Sequence, residues 1–395
     1  MRAGQPAATP AIALAGVDKI FGGRHVLKQI SISVDPGQFL VLLGPSGSGK
    51  STMLRCLGGL ERVDAGTIHF DGRLVSSADR HVAPERRGLA MVFQDFALWP
   101  HLTIQENVAF PLDHRRLGRA ETERRVGQIL ERVGLDAHAQ RYPRHLSGGE
   151  QQRVALARAL VGSPRIVLFD EPLSSLDADL RERLRVDVAE LTRQSGASAV
   201  YITHDQAEAF ALADVVAVLN GGELIQVDRP EVIYGAPASR FVAQFTGVAG
   251  ELAGTVSERL PAGRALVDTA AGPLEALLLG PGSDRAREVA VLVRSAPLRL
   301  AGPGQHGYLS AMVVDVAFRG RGYDHVVELA PGVRLGGIFA EHRFERGGAV
   351  GVSIPPEACL AFATRTPDPA RPGPDLVTGS VPAAAGSPGG GQARG

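Results

Sequence analysis

One stretch constrains this chain more than any other: Gly44-Pro45-Ser46-Gly47-Ser48-Gly49-Lys50-Ser51-Thr52. It fits the pattern G-x-x-x-x-G-K-[ST]. The run before it, Gln38-Phe39-Leu40-Val41-Leu42-Leu43, is apolar and has the length of a buried strand rather than a helix. The residues after it, Thr52 to Leu57, continue with helix formers and stop at Gly58-Gly59. Strand, glycine-rich turn and helix together make a phosphate-binding loop. Gly44, Gly47 and Gly49 let the backbone curl until successive N–H groups face phosphate oxygens. The helix adds its unsatisfied first-turn donors. Its dipole contributes about 1 kcal/mol, whereas even millimolar binding needs about 4 kcal/mol. Lys50 therefore has to bring a full charge, and Ser51 is suited to hold a Mg²⁺ that neutralises more.

A chain of 395 residues has room for two or three domains. Its 44% hydrophobic and 21% charged content is that of an ordinary globular protein. The formal net charge is zero, so nothing global argues for a nucleic-acid partner or an acidic membrane surface. Cys56 and Cys359 lie too far apart for a metal-ligand spacing, which fits a reduced, cytosolic setting. No apolar stretch approaches the roughly 20 residues that cross a bilayer. Residues 1–11 are rich in Ala and Pro without a continuous apolar core, and read as a short disordered lead rather than a signal peptide.

Along the chain, Ile12 to Val17 and Val26 to Val34 read as strands. Phe21 lies in the turn between them. An aromatic there either stacks on an adenine, worth about 1–3 kcal/mol by analogy with base stacking, or packs at a strand end. Thr67 to Phe70 is a strand with Asp71-Gly72 as its turn. Leu89 to Phe93 is another, ending at Gln94. A glutamine at a strand end in an α/β domain sits where ligands bind, and its carbonyl suits Mg²⁺ or an attacking water. Ala120 to Val133 has helical spacing at Val126, Ile129, Leu130 and Val133.

Leu146-Ser147-Gly148-Gly149-Glu150-Gln151-Gln152-Arg153 opens a helix, with Ser147 and Glu150 at capping-box spacing. Two first-turn glycines each cost about 1 kcal/mol and make sense where an anion approaches backbone donors. Glu150 is then expected to fold back onto Ser147. Arg165 to Phe169 is an apolar strand ending in Asp170-Glu171. Beside the phosphate loop, Asp170 can hold Mg²⁺ through water and Glu171 can polarise the water that attacks a terminal phosphate. A helix follows from Leu176-Asp177-Ala178. Ala199 to Ile202 is a further strand, after which Thr203 and Gln206 have capping-box spacing. His204 there either belongs to the cap or contacts the terminal phosphate.

Taken in order after the phosphate loop, Gln94, Ser147 to Gln151, Asp170-Glu171, Ser174-Ser175-Leu176-Asp177 and His204 make the chain resemble the ATP-binding subunit of an ABC transporter. The likeness covers about residues 12–245. It implies Walker A at Gly44 to Ser51, a Q-loop at Gln94 and a signature at Leu146 to Glu150. It further implies Walker B ending at Asp170, a catalytic glutamate at Glu171, a D-loop around Asp177, a switch histidine at His204 and an aromatic A-loop at Phe21. The signature carries Glu150 where the commonest family form has glutamine. The family implies ATP and Mg²⁺, a head-to-tail homodimer with each nucleotide between one copy's phosphate loop and the other's signature, and transmembrane permease subunits met near the Q-loop. Phe93 to Thr103 looks like the importer form of that contact, and importers also work with an extracytoplasmic solute-binding protein. The implied place is the cytoplasmic face of the inner membrane.

After Phe245 short β-like runs, Val289 to Arg294, Leu309 to Phe318, His325 to Leu329 and Ala349 to Ile354, alternate with glycine turns and suggest a small barrel. The region resembles the OB-like C-terminal domain of importers for small oxyanions, polyamines and ferric iron. The expected fold is thus an α/β P-loop NTPase cassette over 12–245, with a helical subdomain about 95–160. An all-β OB-like barrel follows over 246–364, and a Pro/Gly/Ala-rich tail expected to be disordered over 365–395. The expected function is ATP hydrolysis that powers solute import. The run Tyr201 to Ala209 looks most like the ferric-iron branch, with polyamine, sulfate and phosphonate as alternatives. A rival from another class is an ATP-gated regulatory or assembly protein, against which Glu171 argues.

Overall fold

The computed structural model of the chain describes residues 9–115, 117–174 and 176–364. Ser175, most of the expected lead and the expected tail lie outside the described residues. Strands β1 (Ile12–Phe21) and β2 (Arg24–Val34) form an antiparallel hairpin. Strand β3 (Phe39–Leu43) leads through the glycine loop into helix α1 (Lys50–Gly58). A second hairpin, β4 (Ala65–Phe70) and β5 (Arg73–Ser77), joins the first through β1, giving the sheet order β2-β1-β4-β5. Its turn, Asp71-Gly72, has φ of 48° and 75°, the positive angles that a tight two-residue hairpin turn demands.

Strand β6 (Leu89–Val92) enters a second sheet. A mainly helical insertion follows, with α2 (Ile104–Ala109), α3 (Arg119–Arg132) and α4 (Gly148–Leu160). The chain then alternates through β7 (Ile166–Asp170), α5 (Ala178–Ser195), β8 (Ser198–Thr203), α6 (Gln206–Leu212) and β9 (Val215–Asn220). Strand β10 (Glu223–Asp228) and the short helices α7 (Pro230–Gly235) and α8 (Arg240–Phe245) follow. The sheet order is β10-β9-β3-β8-β7-β6, parallel throughout except for β10. Every residue of β3 and β8 is buried, because this sheet has a core on each face. Phe39, Val41 and Leu43 face the helical insertion with Phe169 and Tyr201. Leu40 and Leu42 face the other way, onto Met53, Leu54 and Cys56 of α1 and onto the antiparallel sheet. The parallel order brings the carboxyl ends of β3, β7, β8 and β6 to one edge, where α/β sheets bind ligands.

The C-terminal part holds ten strands in two sheets. β11 (Gly250–Leu260), β12 (Arg264–Thr269), β13 (Gly272–Leu279) and β14 (Glu288–Val293) come first. β15 (Arg299–Ala301), β16 (Leu309–Phe318), β17 (Tyr323–Ala330), β18 (Val333–Ala340), β19 (Ala349–Ser353) and β20 (Cys359–Ala363) complete them. A closed barrel runs β11-β12-β13-β20-β14, and a separate sheet runs β15-β19-β16-β17-β18. Both share one core, with Val291, Val327, Leu335, Val350 and Cys359 in it. The four runs read from the sequence are thus divided, β14 in the barrel and β16, β17 and β19 in the second sheet. Both cysteines are buried, and burial pushes each thiol up to about 12.

Candidate functional site

The glycine loop forms the floor of an open cavity of about 590 Å³. Gly47 and Gly49 take φ of 76° and 105°, which side-chain-bearing residues rarely adopt. Gly44 is fixed by space instead, since a Cβ there would stand 2.2 Å from the Leu219 carbonyl oxygen. Lys50 opens α1 and is only 5% exposed. Its ammonium donates to the carbonyls of Gly44 at 2.8 Å and Pro45 at 3.0 Å. Burial lowers its pKa, against the opposing pull of Glu171 and then Asp170. Two carbonyls are weak partners for a buried cation, so an anion entering this cavity meets a lysine whose charge is only partly met.

Asp170 is the last residue of β7, and its Oδ1 stands 3.5 Å from Ser51 Oγ. Burial, and after it the neighbouring Glu171, raise the Asp170 carboxyl above its ordinary value. Glu171 sits in the cavity wall with φ of 45°, a left-handed backbone that costs on the order of 1–3 kcal/mol for a non-glycine residue. The turn directs its carboxylate to His204, with Oε2 3.1 Å from Nδ1. His204 follows β8 and is exposed. The helix after it is capped by Asp205, which accepts from the N–H groups of Ala207 and Glu208 at 2.7 and 3.1 Å. The Thr203–Gln206 capping box expected from spacing is therefore not formed; Thr203 Oγ1 accepts from the Asp205 N–H instead. Asp205 wins because it is the residue immediately before the helix, two positions nearer its start than Thr203.

Ser147 caps α4 in a full capping box: its Oγ accepts from the Glu150 N–H, and Glu150 Oε2 accepts from the Ser147 N–H at 2.8 Å. That backbone bond holds the Glu150 carboxyl below its usual range. The two glycines have a packing reason as well as the expected anionic one. A Cβ on Gly149 would stand 2.9 Å from Leu180 of α5, and one on Gly148 3.2 Å from Leu176. Asp177 caps α5, accepting from the Leu180 N–H at 2.9 Å.

The structure gathers Ser46 to Thr52 and Glu171 around one cavity, but none of Phe21, Gln94, Ser147, Gly148, Gly149, Glu150 and Asp177 lines it. Phe21 is 43% exposed, with the Lys19 ammonium 4.7 Å from its ring centroid. Gln94 stands just past β6, whose Val92 lies beside Phe169, so it shares the carboxyl edge with Asp170 while facing solvent. The cavity has two walls that the motifs did not name: Arg24, His25, Val26 and Lys28 of β2, and Gly221-Gly222 of the β9–β10 turn. His25 is anchored through Nε2 to the buried Asp18 carboxylate at 2.8 Å. No local pattern marks these residues; the walls are tied together by the Lys28 N–H donating to the Gly222 carbonyl at 2.8 Å and by the close approach of Gly222, whose Cβ would stand 2.5 Å from the Val26 carbonyl. Among the described residues no group of three or more His, Cys, Asp or Glu is placed to hold a metal. A cation here would rest on Ser51, Asp170 and phosphate oxygens, the sparse protein ligation usual for Mg²⁺.

A second cavity of about 610 Å³, mainly apolar, includes Met91, Phe93, Ala97, Trp99, Pro111 and Arg158 in its lining. Phe96 and Ala97 take φ of 61° and 46°. The buried Arg158 holds them there, donating to the Ala97 carbonyl at 2.6 Å and the Phe96 carbonyl at 2.7 Å.

The ABC transporter family model matches residues 27–174, and the TOBE domain model matches residues 291–362. A Rhizobium johnstonii sn-glycerol-3-phosphate import ATP-binding protein is 44% identical over 62% of this chain, an alignment spanning 66% of that relative, just under two thirds of its length. A spermidine/putrescine import ATP-binding protein of Nitratidesulfovibrio vulgaris is 40% identical over 82% of this chain and 88% of its own length. Among solved structures, cbiO1 of Clostridium perfringens, part of the ABC transporter complex cbiONQ, superposes with a TM-score of 0.52 at 25% identity. That match covers 57% of this chain and 90% of the other.

Proposed function

This chain belongs to the ATP-binding subunits of ABC importers, and from that premise we propose that it hydrolyses ATP to drive solute import through a membrane permease. The observation that carries this reading is the cavity in which the partly satisfied Lys50 faces Glu171, itself paired to His204. The polyphosphate lies along Ser46 to Thr52, where curled N–H donors and Lys50 meet its charge. Ser51 and Asp170 would hold Mg²⁺, which neutralises phosphate charge. Glu171 orients the attacking water and takes its proton as the water oxygen bonds to the terminal phosphorus and the bond from that phosphorus to the bridging oxygen breaks, releasing ADP and phosphate; His204 holds the Glu171 carboxylate in place. Gln94, Phe21, Asp177 and the Ser147 to Glu150 turn act on the same nucleotide only when a second copy or a closing motion brings them to it.

The apolar cavity around Trp99 is the surface we assign to the permease, in line with the importer-like segment Phe93 to Thr103. Residues 12–245 then form the cassette and 246–364 the C-terminal domain, at the cytoplasmic face of the membrane with a solute-binding protein outside. For cargo, a polyamine has better support than the ferric iron that the run Tyr201 to Ala209 suggested, since a relative aligned over 88% of its length is named for spermidine and putrescine. The test is ATP turnover and binding in Glu171→Gln. Turnover should fall at least ~10²-fold with ATP affinity unchanged. Wild-type turnover in that variant would remove Glu171 from the reaction.

A further inference from the structure

Arg294 directly follows β14 and is the largest fully buried side chain in the described structure, 2% exposed. Its cation meets no carboxylate among its hydrogen-bond partners. Nη1 donates to the carbonyls of Ala243, at 2.9 Å, and Gly247; Nη2 donates to the Tyr234 carbonyl at 2.6 Å and to Thr246 Oγ1 at 3.0 Å. The guanidinium also lies 4.1 Å from the Tyr234 ring centroid. These acceptors all come from α7, α8 and the turn after α8. A buried charge held by dipoles alone tolerates little movement of any of them, because each lost acceptor uncovers the charge.

The same turn has a second tenant. Gln206, the first residue of α6, donates through Nε2 to the Phe245 carbonyl. Its Oε1 lies where a Cβ on Gly247 would come within 3.4 Å. Residues 245–247 are thus gripped from the barrel side by Arg294 and from the cassette side by Gln206. Two residues before Gln206 stands His204, 3.1 Å from Glu171. The geometry points to Gln206 and Arg294 as positioning residues for the His204–Glu171 pair, so that the C-terminal barrel sets the aim of the switch histidine through the turn 245–247. This rests on the reading of Glu171 and His204 as the hydrolytic pair.

Two variants of the full chain test it: Gln206→Leu, which keeps volume and removes the donor, and Arg294→Lys, which keeps charge and loses the fork. The second readout is independent of turnover, namely the imidazole ¹⁵N resonances of His204, assigned by their loss in His204→Ala. Each variant should move the His204 resonances. In each, kcat should drop about five-fold with ATP affinity held within about two-fold, and the double variant should lose less than the product of the single losses. Unmoved His204 resonances in both variants, or losses that simply multiply, would overturn the proposal. Should Arg294→Lys fail to fold, Gln206→Leu decides alone by the same two readouts. Absence of ATP turnover in the wild type would instead sink the reading of the hydrolytic pair, and the His204 resonances would still decide whether the barrel reaches it.

Discussion

Asp170 and Glu171 are adjacent carboxylates at the end of a buried strand, and the free chain carries their cost. Asp170 binds its proton more tightly folded than unfolded, through burial and then repulsion from Glu171. For an acid with a raised native pKa, folding loses stability as pH rises from the ordinary carboxylate value through the native one. Asp170→Asn removes that loss. Nucleotide-free Asp170→Asn should therefore melt higher than wild type at pH 7, with the difference closing below about pH 4 where both forms are uncharged. A scan of melting temperature against pH checks it, and a variant that melts lower at pH 7 would refute the sign. The same variant should lose Mg²⁺-dependent turnover, the usual exchange of stability for function. The sequence showed the two carboxylates and the strand before them. It could not show that Glu171 turns left-handed to meet His204, since a positive φ in a non-glycine residue is imposed by its surroundings.

At the scale of elements, α4 combines a strong cap with glycines forced by its neighbour. Ser147→Ala removes the hydroxyl that accepts from the Glu150 N–H, leaves the backbone bond from residue 147 to Glu150 Oε2, and should cost about 1 kcal/mol, read as a shift in the urea midpoint at constant slope. Gly149→Ala has two opposed terms: helix propensity favours alanine by about 1 kcal/mol, while displacing Leu180 costs about 1–3 kcal/mol. The variant should be net destabilised, and adding Leu180→Ala should make the Gly149→Ala step neutral or favourable. Elements with a sharp signal were legible: β3, β7 and β8 as apolar runs, and α3 from Val126, Ile129, Leu130 and Val133. Strands with no such signal were not. β11 mixes Glu251, Thr255, Ser257, Glu258 and Arg259 into a strand only partly covered by its barrel; β9 and β10, by contrast, carry a readable hairpin signal in the apolar run Val215 to Leu219 and the turn Asn220-Gly221-Gly222. Capping at α6 was misread because Thr203, Asp205 and Gln206 offer two competing caps, and only backbone placement selects one.

At the scale of the whole molecule, the signature turn of a chain stands off its own cavity, so a single copy holds a nucleotide from one side only. Glu171→Gln with ATP and Mg²⁺ should run as a dimer in size-exclusion chromatography and as a monomer without nucleotide. Ser147→Arg in the same background should abolish the dimer while leaving ATP binding to the monomer intact. A dimer that survives Ser147→Arg would mean the signature is not part of the seal. The walls formed by β2 and the β9–β10 turn were invisible beforehand for a related reason: residues far apart in the chain become neighbours only once the two sheets stack.

Cys56 lies behind the phosphate loop in the cassette core, and Cys359 starts the strand that closes the barrel. With both sulfurs sealed and their ionisation pushed to about 12, a thiol reagent at neutral pH should find neither until its surroundings open. The pair is thus a built-in clock for each half: the order in which urea releases them to labelling reports whether cassette and barrel come apart together or one before the other. Any cysteine placed on the surface would be read against a silent background.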